Sequence, residues 1–209
     1  MNPAIRGGMS LLSETMMLLD ATKVYAESVT DRTDGERDPL PMSFWNIHNR
    51  VQMTVEVLTY YSGFRTTSET EGELTERKVI AVKDLFVDVV SAIEKASKDA
   101  VRLHPDTCVS AEVGKDARRI NLRSVIDASA AHGLLSEGDV KEWNDILLIR
   151  NLAVHNNAMA DRSAVCRVGG ISISLRPGRM MKGPPETYVV LTSRAVTLFH
   201  TWFAALVTL

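Results

Sequence analysis

Between Asn144 and Asp161 the chain reads NDILLIRNLAVHNNAMAD, and Arg150, Asn151 and His155 within it have the types and spacing to do chemistry. A guanidinium binds phosphodiester oxygens bidentately and stabilises the charge that grows on them during reaction. Imidazole titrates near neutrality and can move a proton to or from a reacting oxygen. An amide beside the guanidinium, one helical turn from the imidazole, can orient either group. The set suits cleavage of RNA, in which the 2′-hydroxyl attacks the neighbouring phosphate, a reaction that calls for no metal and no cofactor.

On an ideal helix Asn151 and His155 share a face, whereas Arg150 lies about 140° away from His155. Arg150 therefore reaches the same site only through its long side chain, a distorted helix end, or a subunit boundary. Glu142, two turns earlier, is a candidate partner for the Arg or the His across such a boundary.

Arg150, Asn151 and His155 resemble in order and spacing the signature of the HEPN superfamily: an Arg, commonly followed by Asn, Asp or His, then a few residues and a His near a helix end. The following Asn156-Asn157 pair and short turn extend the likeness to small HEPN-like proteins of bacteria; outside Ser136 to Asp161 it rests on architecture. The resemblance implies a metal-independent endoribonuclease, commonly a homodimer with a composite site built from both subunits. It also implies a role as a toxin or an anti-phage effector beside an antitoxin or defence partner. Some HEPN-like members serve as non-catalytic interaction modules, which is the main rival. A helical transcriptional regulator is disfavoured because no helix-turn-helix with a basic recognition helix is visible.

A second signal follows directly in the chain. From Arg162 to Arg194 the segment carries Arg162, Arg167, Arg176, Arg179, Lys182 and Arg194 against the single acid Glu186. Such a run can hold an RNA backbone by counterion release, or can be the basic outer face of a β-hairpin. Arg118, Arg119 and Arg123 read as a solvated helix face. His48 could join a site if its helix packs on the motif helix; His104 and His132 read as helix-end residues, and His200, among Phe199, Trp202 and Phe203, as a core or interface histidine.

These residues need a scaffold, and the apolar spacing supplies one that is mainly α. Helices are expected over Ser10–Val29, about Met42–Phe64 and Ser68–Leu103, the last with Val79, Val82, Phe86, Val89, Ile93 and Ala96 at steps of three and four. Thr30 to Pro41 reads as a turn, as does His104 to about Lys115. Helical spacing resumes at Leu122 and stops at Gly133. Ser136 with Asp139 three residues on starts the motif helix, which runs to about Asn156. Val165–Val168 and Ile171–Leu175 flank Gly169-Gly170 as a hairpin; Tyr188–Leu191 reads as a third short strand, with Thr192-Ser193 capping the terminal helix. The expectation is one domain over residues 1–209: a bundle of five or six helices with an antiparallel β insertion at about 163–192.

Composition narrows the function classes. The chain has 24 Lys plus Arg against 26 Asp plus Glu, so any nucleic-acid site must be local rather than a whole-molecule field. Its 2 cysteines, Cys108 and Cys166, lack the spacing of a disulfide framework or a zinc site and fit a reducing, cytoplasmic compartment. Neither a signal peptide nor a membrane span is expected: polar residues interrupt Met9–Leu19, and the apolar Ala195–Leu209 stretch falls short of the ~20 residues a bilayer needs. Gly-rich phosphate loops, nucleophile elbows and His-Glu-x-x-His motifs are absent from the sequence.

Overall fold

The computed structural model describes residues 3–29, 39–63, 68–113, 120–155, 158–181 and 183–208. In chain order the elements are α1 (Pro3–Val29), α2 (Pro39–Ser62), α3 (Ser68–Leu103), α4 (Cys108–Val113), α5 (Leu122–Ala131), α6 (Glu137–His155), β1 (Ala164–Val168), β2 (Ile171–Leu175) and α7 (Pro185–Val207). The expected class, a helical bundle with a small antiparallel hairpin before the C-terminal helix, is the observed one.

Each long helix buries the stripe its sequence spaces at three and four. In α1 the buried positions are Leu12, Thr15, Leu19, Thr22 and Ala26, and the two threonines satisfy their hydroxyls on the carbonyls of Leu11 and Leu18, both at 2.7 Å. In α2 the stripe is Phe44, Ile47, Val51, Thr54 and Leu58. α2 starts at Pro39, three residues earlier than expected: the first turn has no intrahelical use for its N–H groups, so Pro39 and Pro41 fit there. α3 lies at the centre, packing against α2, α7, α6, α5 and α4, with Val82, Phe86, Val89 and Ile93 buried.

α7 closes the bundle against α1 and α3. Its Phe199 and Phe203 meet Phe44 of α2 at centroid distances of 5.4 and 5.6 Å, and Trp202 Nε1 donates to Ser129 Oγ of α5 at 2.7 Å. α7 has the length and hydropathy to cross a membrane, but here it is the core helix, with Leu191, Ala195, Leu198 and Leu206 buried.

The third strand expected at Tyr188–Leu191 is instead the opening of α7, and Thr192-Ser193 lies inside that helix rather than at its cap. A short apolar run fits both periods. Here Tyr188, Leu191, Thr192 and Ala195 repeat at helical spacing and continue the stripe that α7 buries against the core. The β insertion therefore ends at Leu175. α4, a single short helix inside the expected turn after His104, is the other addition.

The hairpin pairs Ala164 with Leu175 through Val168 with Ile171, antiparallel. Gly169 and Gly170 turn it at φ 55° and 80°, the positive values a tight two-residue turn needs. A Cβ at Gly169 would lie 2.9 Å from Val190 Cγ1 of α7, so the turn is seated on that helix. Cys166, Val168, Ile173 and Leu175 face the core, leaving Val165, Arg167, Ser172 and Ser174 outward.

Candidate functional site at the end of α6

α6 begins as its sequence requires: Asp139 N–H donates to Ser136 Oγ at 3.1 Å, and Ser136 Oγ donates to the Asp139 carboxylate at 2.7 Å. It is then bolted to α7, because Arg194 reaches Asp139 at 3.2 Å and also pairs with Glu142. Glu142 is thus committed within its own chain rather than offered to Arg150 or His155, and Arg194 is neutralised rather than part of an open basic face. Trp143, Ile146, Ile149 and Leu152 anchor the opposite side of α6 in the core.

Arg150 is half-buried. One terminal nitrogen, Nη2, donates to Ser91 Oγ of α3 at 3.2 Å, and the other, Nη1, donates to the Asn151 side-chain oxygen at 3.2 Å. Ser91 in turn donates to the Val87 carbonyl at 2.8 Å. Arg150 Nε is buried with no hydrogen-bond partner among the described residues. The guanidinium is therefore tied to α3 by one hydrogen bond, with donor capacity unspent. Ser91 was not legible as a site residue, since a serine inside an amphipathic helix carries no signal of its own.

Asn151 and His155 are both exposed and share one face of α6 with Asn144 and Leu148, at steps of four and three. Leu147 and Leu148 are half-buried and Val154 is 41% exposed beside this face. Arg150 and His155 are not hydrogen-bonded to each other, as the 140° offset anticipates; one chain brings Arg150 to Asn151 and leaves His155 at the open helix end.

Just past that end, backbone bonds fold two segments together. Ala158 N–H donates to the Leu152 carbonyl at 2.9 Å, Ala160 N–H to Arg179 at 3.0 Å, Gly178 N–H to Ala160 at 2.9 Å and Met181 N–H to Ala158 at 2.8 Å. Ala158 holds φ 61°, a region that costs an L residue roughly 1–2 kcal/mol, offset in part by burial of its methyl, about 0.8 kcal/mol. The 176–181 loop is thereby pinned beside the motif, an arrangement the sequence does not disclose. A cleft of about 540 Å³ opens there, lined by Met159, Leu175, Arg176, Arg179, Met180 and Met181.

Of the basic residues read from the sequence, Arg162, Arg167, Arg176 and Arg179 are exposed. Arg167 projects from the outer face of β1 while its backbone N–H donates to Asp145 Oδ2 of α6 at 2.8 Å. Lys182, the Asn156-Asn157 pair, Arg118 and Arg119 lie outside the described residues, as does most of the turn expected after Val29. Arg123 is paired with Asp127 at 3.2 Å. His48 pairs with Asp20 and His132 with Glu112, at 2.6 and 2.7 Å, and neither pair includes a residue of α6. His200 Nδ1 lies 2.6 Å from Thr22 Oγ1, and burial lowers its pKa below the ordinary imidazole value.

Burial, reinforced by the Asp145 carboxylate, pushes the Cys166 thiol up to about 11, so Cys166 is a packing residue beneath the hairpin and not a nucleophile. Among the described residues no three His, Cys, Asp or Glu side chains converge as metal ligands. Comparison of the chain with protein-family models, curated proteins and solved structures returned no match.

Proposed function

We propose that this protein is a cytoplasmic, metal-independent endoribonuclease of HEPN type that cuts single-stranded or loop RNA as a homodimer. The observation that carries the reading is the state of Arg150: a guanidinium oriented by Ser91 and Asn151, with its Nε unspent, on the same last turns of α6 as the exposed His155. Two copies pair along the Asn144, Leu148, Asn151 and His155 face of α6, so that each Arg150 works with the partner's His155. The half-buried Leu147 and Leu148 and the exposed Val154 beside that face give such a pairing an apolar seam.

In this mechanism His155 takes the proton from the 2′-hydroxyl, whose oxygen attacks the adjacent phosphorus. Arg150 binds the non-bridging oxygens and stabilises the negative charge that builds on them, while Asn151 keeps the guanidinium aimed. The P–O5′ bond breaks as the 5′-oxygen takes up a proton from water, leaving a 2′,3′-cyclic phosphate and a 5′-hydroxyl, and His155 returns its proton to solvent. Arg162, Arg167, Arg176, Arg179 and Lys182 hold the strand, with salt-sensitive affinity. Flexible RNA is preferred because the 2′-oxygen must swing in line with the leaving group. Activity of this kind suits a toxin or anti-phage effector restrained by an antitoxin or a defence partner.

A non-catalytic dimerisation module within a regulatory or defence complex is the second reading. It is favoured by the inward bond of Arg150 to Ser91, which separates Arg150 from His155 within one chain.

The deciding experiment is incubation of labelled single-stranded RNA with excess EDTA, comparing wild type, Arg150→Ala and His155→Ala. Wild-type cutting to 2′,3′-cyclic ends, lost in both variants, is the expected result. Equal inactivity of all three preparations on diverse RNAs overturns the enzymatic reading in favour of the module.

A further inference from the structure

The cleft beside the α6 end has the size and lining of a small-ligand site. Its volume of about 540 Å³ lies within the roughly 300–1,000 Å³ of small-ligand sites. Arg176 and Arg179 are both exposed on its lining, which among the described residues contains no carboxylate to neutralise them. The remaining surface is apolar and soft: Leu175 and Met181 are buried in the floor, whereas Met159 and Met180 stand 45% and 55% exposed. Met159 and Met180 are partners across an isolated antiparallel bridge, and both line the cleft.

We propose that this cleft binds a nucleoside phosphate, its phosphate on Arg176 and Arg179 and its base against the Met159 and Met180 thioethers. Paired guanidiniums match phosphate oxygens in a forked geometry, and polarisable thioethers take up flat aromatic faces without demanding one base identity. The four backbone hydrogen bonds around Ala158 and Ala160 fix the cleft to the end of α6. The cleft lining begins at Met159, four residues after His155 in the chain. The inference rests on the ribonuclease reading only for the source of the ligand, an RNA strand rather than a free nucleotide, and not for the binding itself.

The test is methyl NMR of the full chain labelled at its methionine methyls, titrated with uridine monophosphate, a short single-stranded RNA, uridine, inorganic phosphate and a glutamate-rich peptide. Saturable shifts of Met159, Met180 and Met181 with the monophosphate and the RNA are expected, at least tenfold tighter than with uridine or phosphate alone. Arg176→Met and Arg179→Met should each weaken binding about tenfold while leaving the Met16, Met17 and Met53 signals in place as a check on folding. Tighter binding of the RNA than of the monophosphate assigns the ligand to a strand, and the reverse order assigns it to a free nucleotide. Silent cleft methyls, shifts equal for inorganic phosphate, response to the acidic peptide alone, or indifference to both substitutions overturns the proposal. Because the readout is binding, shifts without RNA turnover would leave the cleft standing and sink the nuclease, while turnover with silent methyls would do the opposite.

Discussion

Ser91→Ala probes the least obvious part of the site. The substitution removes the oxygen that accepts from Arg150 Nη2 at 3.2 Å and leaves Asn151 as the guanidinium's remaining partner among the described residues. A hydrogen bond to a charged donor contributes about 1.5–3 kcal/mol; this one, long and partly solvated, belongs near 1.5. Alanine recovers about 0.5 kcal/mol of helix propensity inside α3, so the net loss is about 1 kcal/mol, or roughly 2–4 °C in Tm for a chain of this size. The larger effect is on reaction rate. If the bond is what keeps the guanidinium aimed, its loss raises the barrier by up to about 1.4 kcal/mol and lowers kcat about tenfold with KM little changed. Arg150→Ala, which removes the charge itself, should cost on the order of 10²-fold or more. Ser91→Thr restores the oxygen and should recover most of the rate. The assay is single-turnover cleavage of a fluorescent RNA alongside thermal unfolding of each variant. Full activity in Ser91→Ala, together with an inactive Arg150→Ala, would refute the claim that α3 positions the arginine.

Two further predictions concern the frame that holds the site. Ser97 is 1% exposed and its hydroxyl has no hydrogen-bond partner among the described residues, so Ser97→Ala should stabilise the protein by about 1 kcal/mol and raise Tm; a lower Tm refutes this. Burial keeps His200 neutral to lower pH than in the unfolded chain, which takes up its proton near pH 6.5; the unfolded state therefore binds more protons, and stability falls as pH drops below about 6.5. Urea midpoints at pH 8 and pH 5 should differ less in His200→Gln than in wild type, and an unchanged difference would exclude this histidine as the cause.

The long helices were readable because their apolar residues repeat at one period and little competes with it: the α3 stripe from Val82 to Ala96 is the clearest case. Gly133 and the Ser136–Asp139 box set the start of the motif helix by local chemistry alone. The misreading at Tyr188–Leu191 arose where β-branched and aromatic residues crowd together, and only packing against α3 and α1 decides in favour of a helix. For the site, the identities of Arg150, Asn151 and His155 were legible, as was the angular separation of the arginine from the histidine. Their partners were not, because Ser91 lies 59 residues from Arg150 and the 176–181 loop returns to Ala158 through backbone groups, which carry no residue signature.

That return sets a parity on the chain. Ala158 and Ala160 are buried while Met159 between them is exposed, and the hydrogen bonds to Arg179 and Met181 hold this alternation in register. One inserted residue between Ala158 and Ala160 would exchange inside for outside, burying a polar newcomer or turning the methionine away from the cleft. Two inserted residues would restore the alternation. Homologous chains that keep this junction should therefore differ in length here by even numbers, and an odd insertion should be accompanied by loss of the cleft.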